Sequence, residues 1–230
     1  METLEKIRKA YTEYVLENGK QPTSVFQFAK KLKIAESEFY DYYASFDAIE
    51  ADVWLALFND TKTTVEADPT YQTYSVREKL LAFYYTWIEL LKAQRSFVVY
   101  SYGRLRDGGD VAPTTSPRAR LAMRQRTRPQ AGRQVLNPFK EAFFDFARDL
   151  VAEGRESREV EPRPFLTDRY PNALWTQALF ILDFWVRDVS KGFEKTDTAI
   201  EKSVNTTFDL IGRSPLDTLL DFAKFAYQNR

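Results

Sequence analysis

Thr23-Ser24-Val25-Phe26-Gln27-Phe28-Ala29-Lys30-Lys31-Leu32-Lys33-Ile34-Ala35-Glu36-Ser37-Glu38-Phe39-Tyr40-Asp41-Tyr42-Tyr43-Ala44-Ser45-Phe46 is the stretch on which the fold turns. Ser24 followed three residues later by Gln27 is a capping box, and Val25, Phe28, Ala29 and Leu32 then share one helical face. The step Leu32-Lys33-Ile34 makes a turn. Glu36 to Tyr43 forms a second short helix whose Phe39 and Tyr43, four apart, face inward. Two short helices around a tight turn read as a helix-turn-helix, in which the second helix meets the DNA major groove.

Upstream, residues 3–18 place Leu4, Ile7, Tyr11, Tyr14 and Val15 on one stripe, an amphipathic helix that covers the motif, and Asn18-Gly19 ends it. Downstream, a helix from Ala48 to about Val65 carries Ile49, Val53, Ala56 and Leu57 until Asp68-Pro69-Thr70 breaks it. Ser75 with Glu78 is a second capping box, and Val76, Leu80, Phe83, Tyr84, Trp87, Ile88 and Leu91 mark a core helix behind it. Phe97 to Tyr100 has β-branched residues that suit a strand, yet helical neighbours on both sides favour a helix.

Asn137-Pro138 starts a further helix with Phe139, Phe143, Phe146 and Leu150 on one face, closed by Gly154. Glu161-Pro162-Arg163-Pro164 belongs to a connecting loop. Pro171 to Lys191 is the most apolar segment, with Leu174, Ala178, Ile181, Leu182, Trp185 and Val189 on one face, Phe180 and Phe184 on another, and Gly192 at its end. Such a helix needs cover on two sides, the core on one and a partner subunit on the other. Thr198 with Glu201 caps the next helix, which carries Ile200, Val204, Phe208 and Ile211 and stops at Gly212. The last helix runs from Leu216 to Tyr227.

Residues 104–133 differ from the rest: eight Arg, no Lys and two Asp give them a charge of +6 within a chain of zero formal charge. They read as a mobile Arg-rich loop with a short basic helix at 121–128, either a solvated insertion or an electrostatic arm for an anion.

The 230 residues are 44% hydrophobic and 15% aromatic, with 18 Phe, 13 Tyr and 4 Trp, which suits a large core or an apolar pocket. The chain has no Cys and no His, which removes disulfides, thiol nucleophiles, thiolate zinc sites and histidine-based acid–base catalysis. No catalytic residue, metal site or cofactor is expected, and the chain does not read as an enzyme. No apolar run reaches membrane-spanning length, so no stable membrane insertion is expected and the location read is cytoplasmic.

The quoted stretch and its flanks resemble the DNA-binding region of the TetR family of bacterial transcriptional regulators. The resemblance rests on Gly19 after the first helix, Thr23-Ser24-Val25, Ala29, the apolar turn residue Ile34, the aromatic end Tyr40-Asp41-Tyr42-Tyr43, and Ser45-Phe46, where the family commonly has Ser-Lys. Two departures stand out. The second helix carries Glu36, Glu38 and Asp41 in place of neutral or basic residues, and residues 1–50 hold seven Lys or Arg against nine Asp or Glu.

The resemblance implies an all-α protein. A three-helix helix-turn-helix unit over 1–47 would join a larger ligand-binding and dimerisation domain over 48–230. Operator DNA would be met by Thr23 and Ser24 at a helix N-terminus, by Lys30 and Lys33 on phosphates, and by Glu36, Ser37, Glu38, Tyr40 and Tyr42 on the second helix. A homodimer would form through 171–191 and 198–211. A hydrophobic small-molecule ligand would sit among Phe83, Tyr84, Trp87, Phe143, Phe146, Trp175, Phe180 and Phe184, with Asp183 and Arg187 pairing or fixing its polar end. The alternative is a TetR fold without DNA binding that carries a hydrophobic ligand or lipid.

Overall fold

The computed structural model describes residues 2–107, 134–163, 166–212, 217, 222 and 225–228. The expectations for most of the Arg-rich stretch, for the short helix at 121–128 and for most of the final helix lie outside these residues. The described residues form nine α-helices with bounds and no strand: α1 Glu2–Asn18, α2 Val25–Leu32, α3 Glu36–Tyr42, α4 Phe46–Glu66, α5 Val76–Ala93, α6 Arg95–Asp107, α7 Asn137–Glu156, α8 Tyr170–Arg187 and α9 Glu194–Ile211. Short 3-10 turns at Pro69–Thr73, Thr167–Arg169 and Lys191–Phe193 link some of them. The all-α expectation holds, and Phe97 to Tyr100 are helical within α6.

The chain divides into two compact units, Met1–Asn59 with Leu90–Glu141, and Asp60–Glu89 with Ala142–Arg230. The first unit is built on aromatic rings. Phe28 of α2 meets Tyr11 and Tyr14 of α1, Phe39 of α3 and Phe46 of α4 edge-on, with centroids 5.4–6.4 Å apart. Phe46 also stacks on Tyr11 at 5.6 Å. Edge-to-face pairs of this kind add about 0.5–1.5 kcal/mol each beyond area burial. Further along α4, Trp54 and Phe58 pack on Phe139.

Beneath the rings lies a carboxylate. Glu50 on α4 is 0% exposed and accepts from Tyr11 Oη at 2.6 Å, Ser101 Oγ at 2.9 Å and Gln21 Nε2 at 3.0 Å, with Arg104 Nη2 at 3.4 Å. Gln21 and Arg104 also bond Asp47, one helical turn earlier, and Trp54 Nε1 donates to Ser101. Burial, reinforced by the charge of Glu50, pushes the Tyr11 hydroxyl far above the usual phenol range, so it stays a donor.

In the second unit Ser75 and Glu78 form the expected capping box, each side chain bonding the other residue's backbone N–H. Phe83 packs against Phe143 and Phe146, and Phe143 against Trp175. Arg163 ties the end of α9 to the chain beyond it: its guanidinium donates to the carbonyls of Leu210 and Gly212, to Tyr170 Oη and, through Nε and Nη2, to both oxygens of Asp217. Gly212 ends α9 as expected, and its hydrogen has a use. A Cβ there would stand 2.8 Å from the Phe208 carbonyl oxygen.

Three boundaries differ from the sequence reading. Gly154 does not close α7, which continues to Glu156; it lets Val160 approach so closely that a Cβ would meet its side chain at 2.6 Å. Asn137-Pro138, by contrast, opens α7 as read, with residues 134 and 135 in a short helical stretch ahead of it. The apolar segment from Pro171 stops at Arg187, four residues short of Lys191, and Val189 beyond it is 95% exposed. Thr198 and Glu201 lie inside α9, where Thr198 Oγ1 donates back to the Glu194 carbonyl.

Phe193, at the N-cap position of α9, makes no side-chain hydrogen bond, and the first turn is capped from a distance by Asp188. Its Oδ2 accepts from both the backbone N–H and the Oγ1 of Thr196, at 2.9 and 2.7 Å, while Oδ1 takes Ser190 in the same way. Burial alone would raise its carboxyl, but the hydrogen bonds from Ser190 and Thr196 outweigh that and hold it at about 2. With the folded value below the unfolded value of about 3.9, its contribution is complete above about pH 4 and disappears as pH falls toward 2. Asp188→Asn should therefore lower stability by about 0.5–2 kcal/mol near neutrality, the usual range for a lost N-cap. In thermal melts against pH, the gap between wild type and variant should close as pH drops from about 4 to 2.

Candidate nucleic-acid interface

The short helices α2 and α3 are set by local chemistry. Ser24, in extended conformation, accepts the Gln27 N–H at 3.5 Å, so half of the expected capping box is formed. At the other end Lys33 adopts the left-handed conformation (φ 58°), and its N–H and that of Ile34 return to carbonyls of the last turn of α2. This makes the tight turn. Phe39 and Tyr43 face inward as expected, at 0% and 6% exposure, and Tyr43 Oη donates to Asp52 of α4 at 2.7 Å. Arg8 of α1 reaches the same carboxylate.

With Phe28, Ala29 and Phe39 turned inward, the other side of the pair is left to solvent. Thr23, Lys30, Lys33, Glu36, Ser37, Tyr40 and Tyr42 are exposed, while Ser24 and Glu38 are half-buried. The structure thus gathers all nine residues picked from the sequence onto two adjoining helices and their turn. Asp41 joins them, and Phe26, exposed on α2, was missed.

Phe46 takes a different part from the lysine common in the family. Its ring stacks on Tyr11 and meets Phe28 and Phe39, so the position serves the core of the head. No sequence signal beyond its aromatic character points there. Lys31 is likewise directed at a ring, that of Tyr14 at 5.2 Å.

The aromatic residues named for a ligand separate into two groups. Phe83, Tyr84, Trp87 and Phe143 are at most 1% exposed and pack as core, with Phe146 and Trp175 beside them. Phe180, half exposed, leans on Phe184 along another face of α8. Asp183 and Arg187 pair with each other.

A cleft of about 140 Å³ opens among Lys62, Glu66, Tyr71, Lys79, Phe146, Asp149 and Glu153. Phe146 alone of the eight candidates lines it, and its walls are mostly polar. At its edge Lys79, nearly buried, bonds Glu153 at 2.5 Å and stands over the Tyr71 ring. Burial, with Glu66 and Glu153 nearby, pushes Tyr71 up to about 12. Among the described residues no group of His, Cys, Asp or Glu is arranged to hold a metal ion, and no helix is long and apolar enough to cross a membrane.

A helix-turn-helix followed by a helical body defines the class, and comparison with known proteins places the chain within it. Residues 118–226 match the family described as Tetracyclin repressor-like, C-terminal domain. A putative TetR family transcription regulator from Shewanella sp. PV-4 superposes with a TM-score of 0.54 at 12% identity, over 91% of this chain and 98% of that one. A protein of unknown function from Rhodococcus sp. RHA1 superposes with a TM-score of 0.53 at 13% identity, over 91% and 95%. No curated protein matches. The resemblance to the TetR family read at the N-terminal end is thus met by an independent match to a Tetracyclin repressor-like domain at the C-terminal end, and the fold is shared with the two solved structures.

Lys33 gives a direct check on the turn. A lysine in the left-handed region carries strain that glycine does not, so Lys33→Gly should raise stability by up to about 1 kcal/mol. An increase in melting temperature is expected. A decrease would mean that the lysine side chain, not the backbone conformation, secures the turn.

Proposed function

We propose that this protein is a ligand-responsive transcriptional regulator that binds operator DNA as a homodimer, with residues 1–47 as DNA-binding domain and 48–230 as ligand-binding and dimerisation domain. The observation that carries the reading is the α2–α3 pair. It is a helix-turn-helix with a rigid aromatic underside and a polar outer side of a size to enter a major groove. Phosphates would be met by Thr23 and Ser24 at the start of α2 and by Lys30 and Lys33, and base edges by Glu36, Ser37, Glu38, Tyr40 and Tyr42.

Dimerisation through 171–191 and 198–211 is supported by the apolar side chains left uncovered there, Phe180 on α8 and Leu210 on α9. A two-fold dimer suits a two-fold operator. The aromatic content of the second unit supports a hydrophobic small-molecule ligand among the residues named above, and a cytoplasmic location follows from the regulatory role. The Glu50 network supports ligand response, because it joins α6 to the base of the helix-turn-helix through one buried group.

One observation favours a second reading, a TetR fold that carries a hydrophobic ligand or lipid without binding DNA. The outer side of α3 holds three acids and no cation. DNA binding then leans on the lysines of α2 and its turn. Selection from random duplexes by the purified chain at fixed salt should enrich a two-fold symmetric site, and Lys30→Ala should reduce the slope of log affinity against log salt by about 1. Failure to enrich any sequence, together with lipid in the purified protein, would decide for the second reading.

A further inference from the structure

The cleft of the second unit is walled by helical faces. Phe146, Asp149, Leu150 and Glu153 recur at i, i+3, i+4 and i+7 on α7, and Lys62 and Glu66 lie one turn apart at the end of α4. Tyr71 joins them from the 3-10 turn and Lys79 from α5. The charges on these walls do not balance. Glu153 is taken by Lys79 at 2.5 Å and Glu66 faces Lys62 at 3.7 Å, whereas Asp149 has no hydrogen bond or ion pair among the described residues.

A second, separate observation points into the same space. Tyr71 is 5% exposed, and its hydroxyl has no hydrogen-bond partner among the described residues. Buried polar groups are normally paired, so an occupant of the cleft that bonds this oxygen meets a standing need. Lys79 rests over the face of the ring at 5.7 Å. The charges of Glu66 and Glu153 reach the hydroxyl and, together with burial, keep it protonated, so it accepts as well as donates.

The chemistry of the walls narrows the occupant. An anion would meet three carboxylates, and both lysines are already committed to two of them. A metal ion needs converging ligands, and among the described residues no group of acids is arranged to hold one. A neutral molecule would leave the surplus negative charge uncompensated. A protonated amine brings one positive charge, N–H donors for Asp149 and the Tyr71 oxygen, and a stem that can lie on Phe146 and Leu150. The volume of about 140 Å³ suits a ligand of about six non-hydrogen atoms, since a cavity of about 150 Å³ takes one benzene molecule.

We infer that this cleft binds a small primary amine as its ammonium ion, held by Asp149 and Tyr71 with its alkyl stem against Phe146 and Leu150. The site is separate from the hydrophobic ligand proposed above, with whose residues it shares Phe146, and it does not depend on DNA binding.

The test is calorimetric titration of the full chain with butylammonium chloride in an amine-free buffer, beside sodium butyrate and 1-butanol, which keep the stem and change the head. Saturable binding of butylammonium at one site is expected, with butyrate and butanol at least about tenfold weaker. Asp149→Asn and Tyr71→Phe should each weaken butylammonium binding roughly tenfold, the loss expected when a hydrogen bond to a charged group is removed. Asp149 is exposed and phenylalanine keeps the ring of Tyr71, so both variants keep the fold, which thermal melts verify. No saturable binding of butylammonium would overturn the inference, and so would butyrate or butanol binding equally well. Binding untouched by both variants would place the amine elsewhere and overturn it too. None of these outcomes bears on whether the chain binds DNA, so the regulator reading stands or falls separately.

Discussion

Glu50 is the constraint on which the first compact unit depends. A carboxylate removed from water carries a penalty of several kcal/mol unless nearby donors replace its hydration. Here the donors come from four places in the chain: Tyr11 on α1, Gln21 just ahead of α2, and Ser101 and Arg104 on α6. Each is needed by the same buried charge. Loss of one leaves the charge short of partners, so α1, α4, α6 and the entry to the helix-turn-helix adopt a common arrangement. Gln21 also bonds Asp47, which places the chain three residues before the Ser24 cap.

Above this polar base the aromatic cluster supplies most of the cohesion. Phe28, Phe39 and Phe46 come from three successive helices and meet at near-perpendicular angles around α1. A helix of seven or eight residues has little stability of its own, so α2 and α3 exist because these rings hold them. The same packing decides which side chains remain outside. The lysines lie on α2 and its turn, and the acids on α3. The departures from the family pattern at Glu36, Glu38 and Phe46 thus divide by role: Phe46 completes the core, and the acids shape the outer surface.

Much of this was legible in the sequence. Helical spacing located the helices, Ser24 and Ser75 announced two starts, and Lys33 and Gly19 fall where the chain takes the left-handed conformation. The failures share a physical cause: the deciding partner is distant or unexpected. Glu50 reads as one more acid on an amphipathic helix, and its bond to Ser101 spans 51 residues. Asp188 caps a helix that starts six residues later, across a 3-10 turn, which no capping-box spacing anticipates. Gly154 looks like a helix stop but is a contact point for Val160. For the aromatic residues of α5, α7 and α8, spacing alone does not separate packing from ligand lining, because packed rings and ligand-lining rings repeat alike. Of the eight proposed for a ligand, Phe146 lines the described cleft.

The claim that one buried carboxylate organises the helix-turn-helix is tested most directly by amide hydrogen exchange on Glu50→Gln. The new amide would leave one acceptor oxygen for Tyr11, Ser101, Gln21 and Arg104 where the carboxylate offered two, its N–H could be accepted only if a hydroxyl or Gln21 gave up its present bond, and Arg104 would lose its buried counter-charge; a broken buried charge pair typically costs about 3–5 kcal/mol. The account predicts faster exchange in α1, around Gln21 and the start of α2, and in α6 together, with the second compact unit unchanged. Faster exchange confined to the turn of α4 around residue 50 would contradict it.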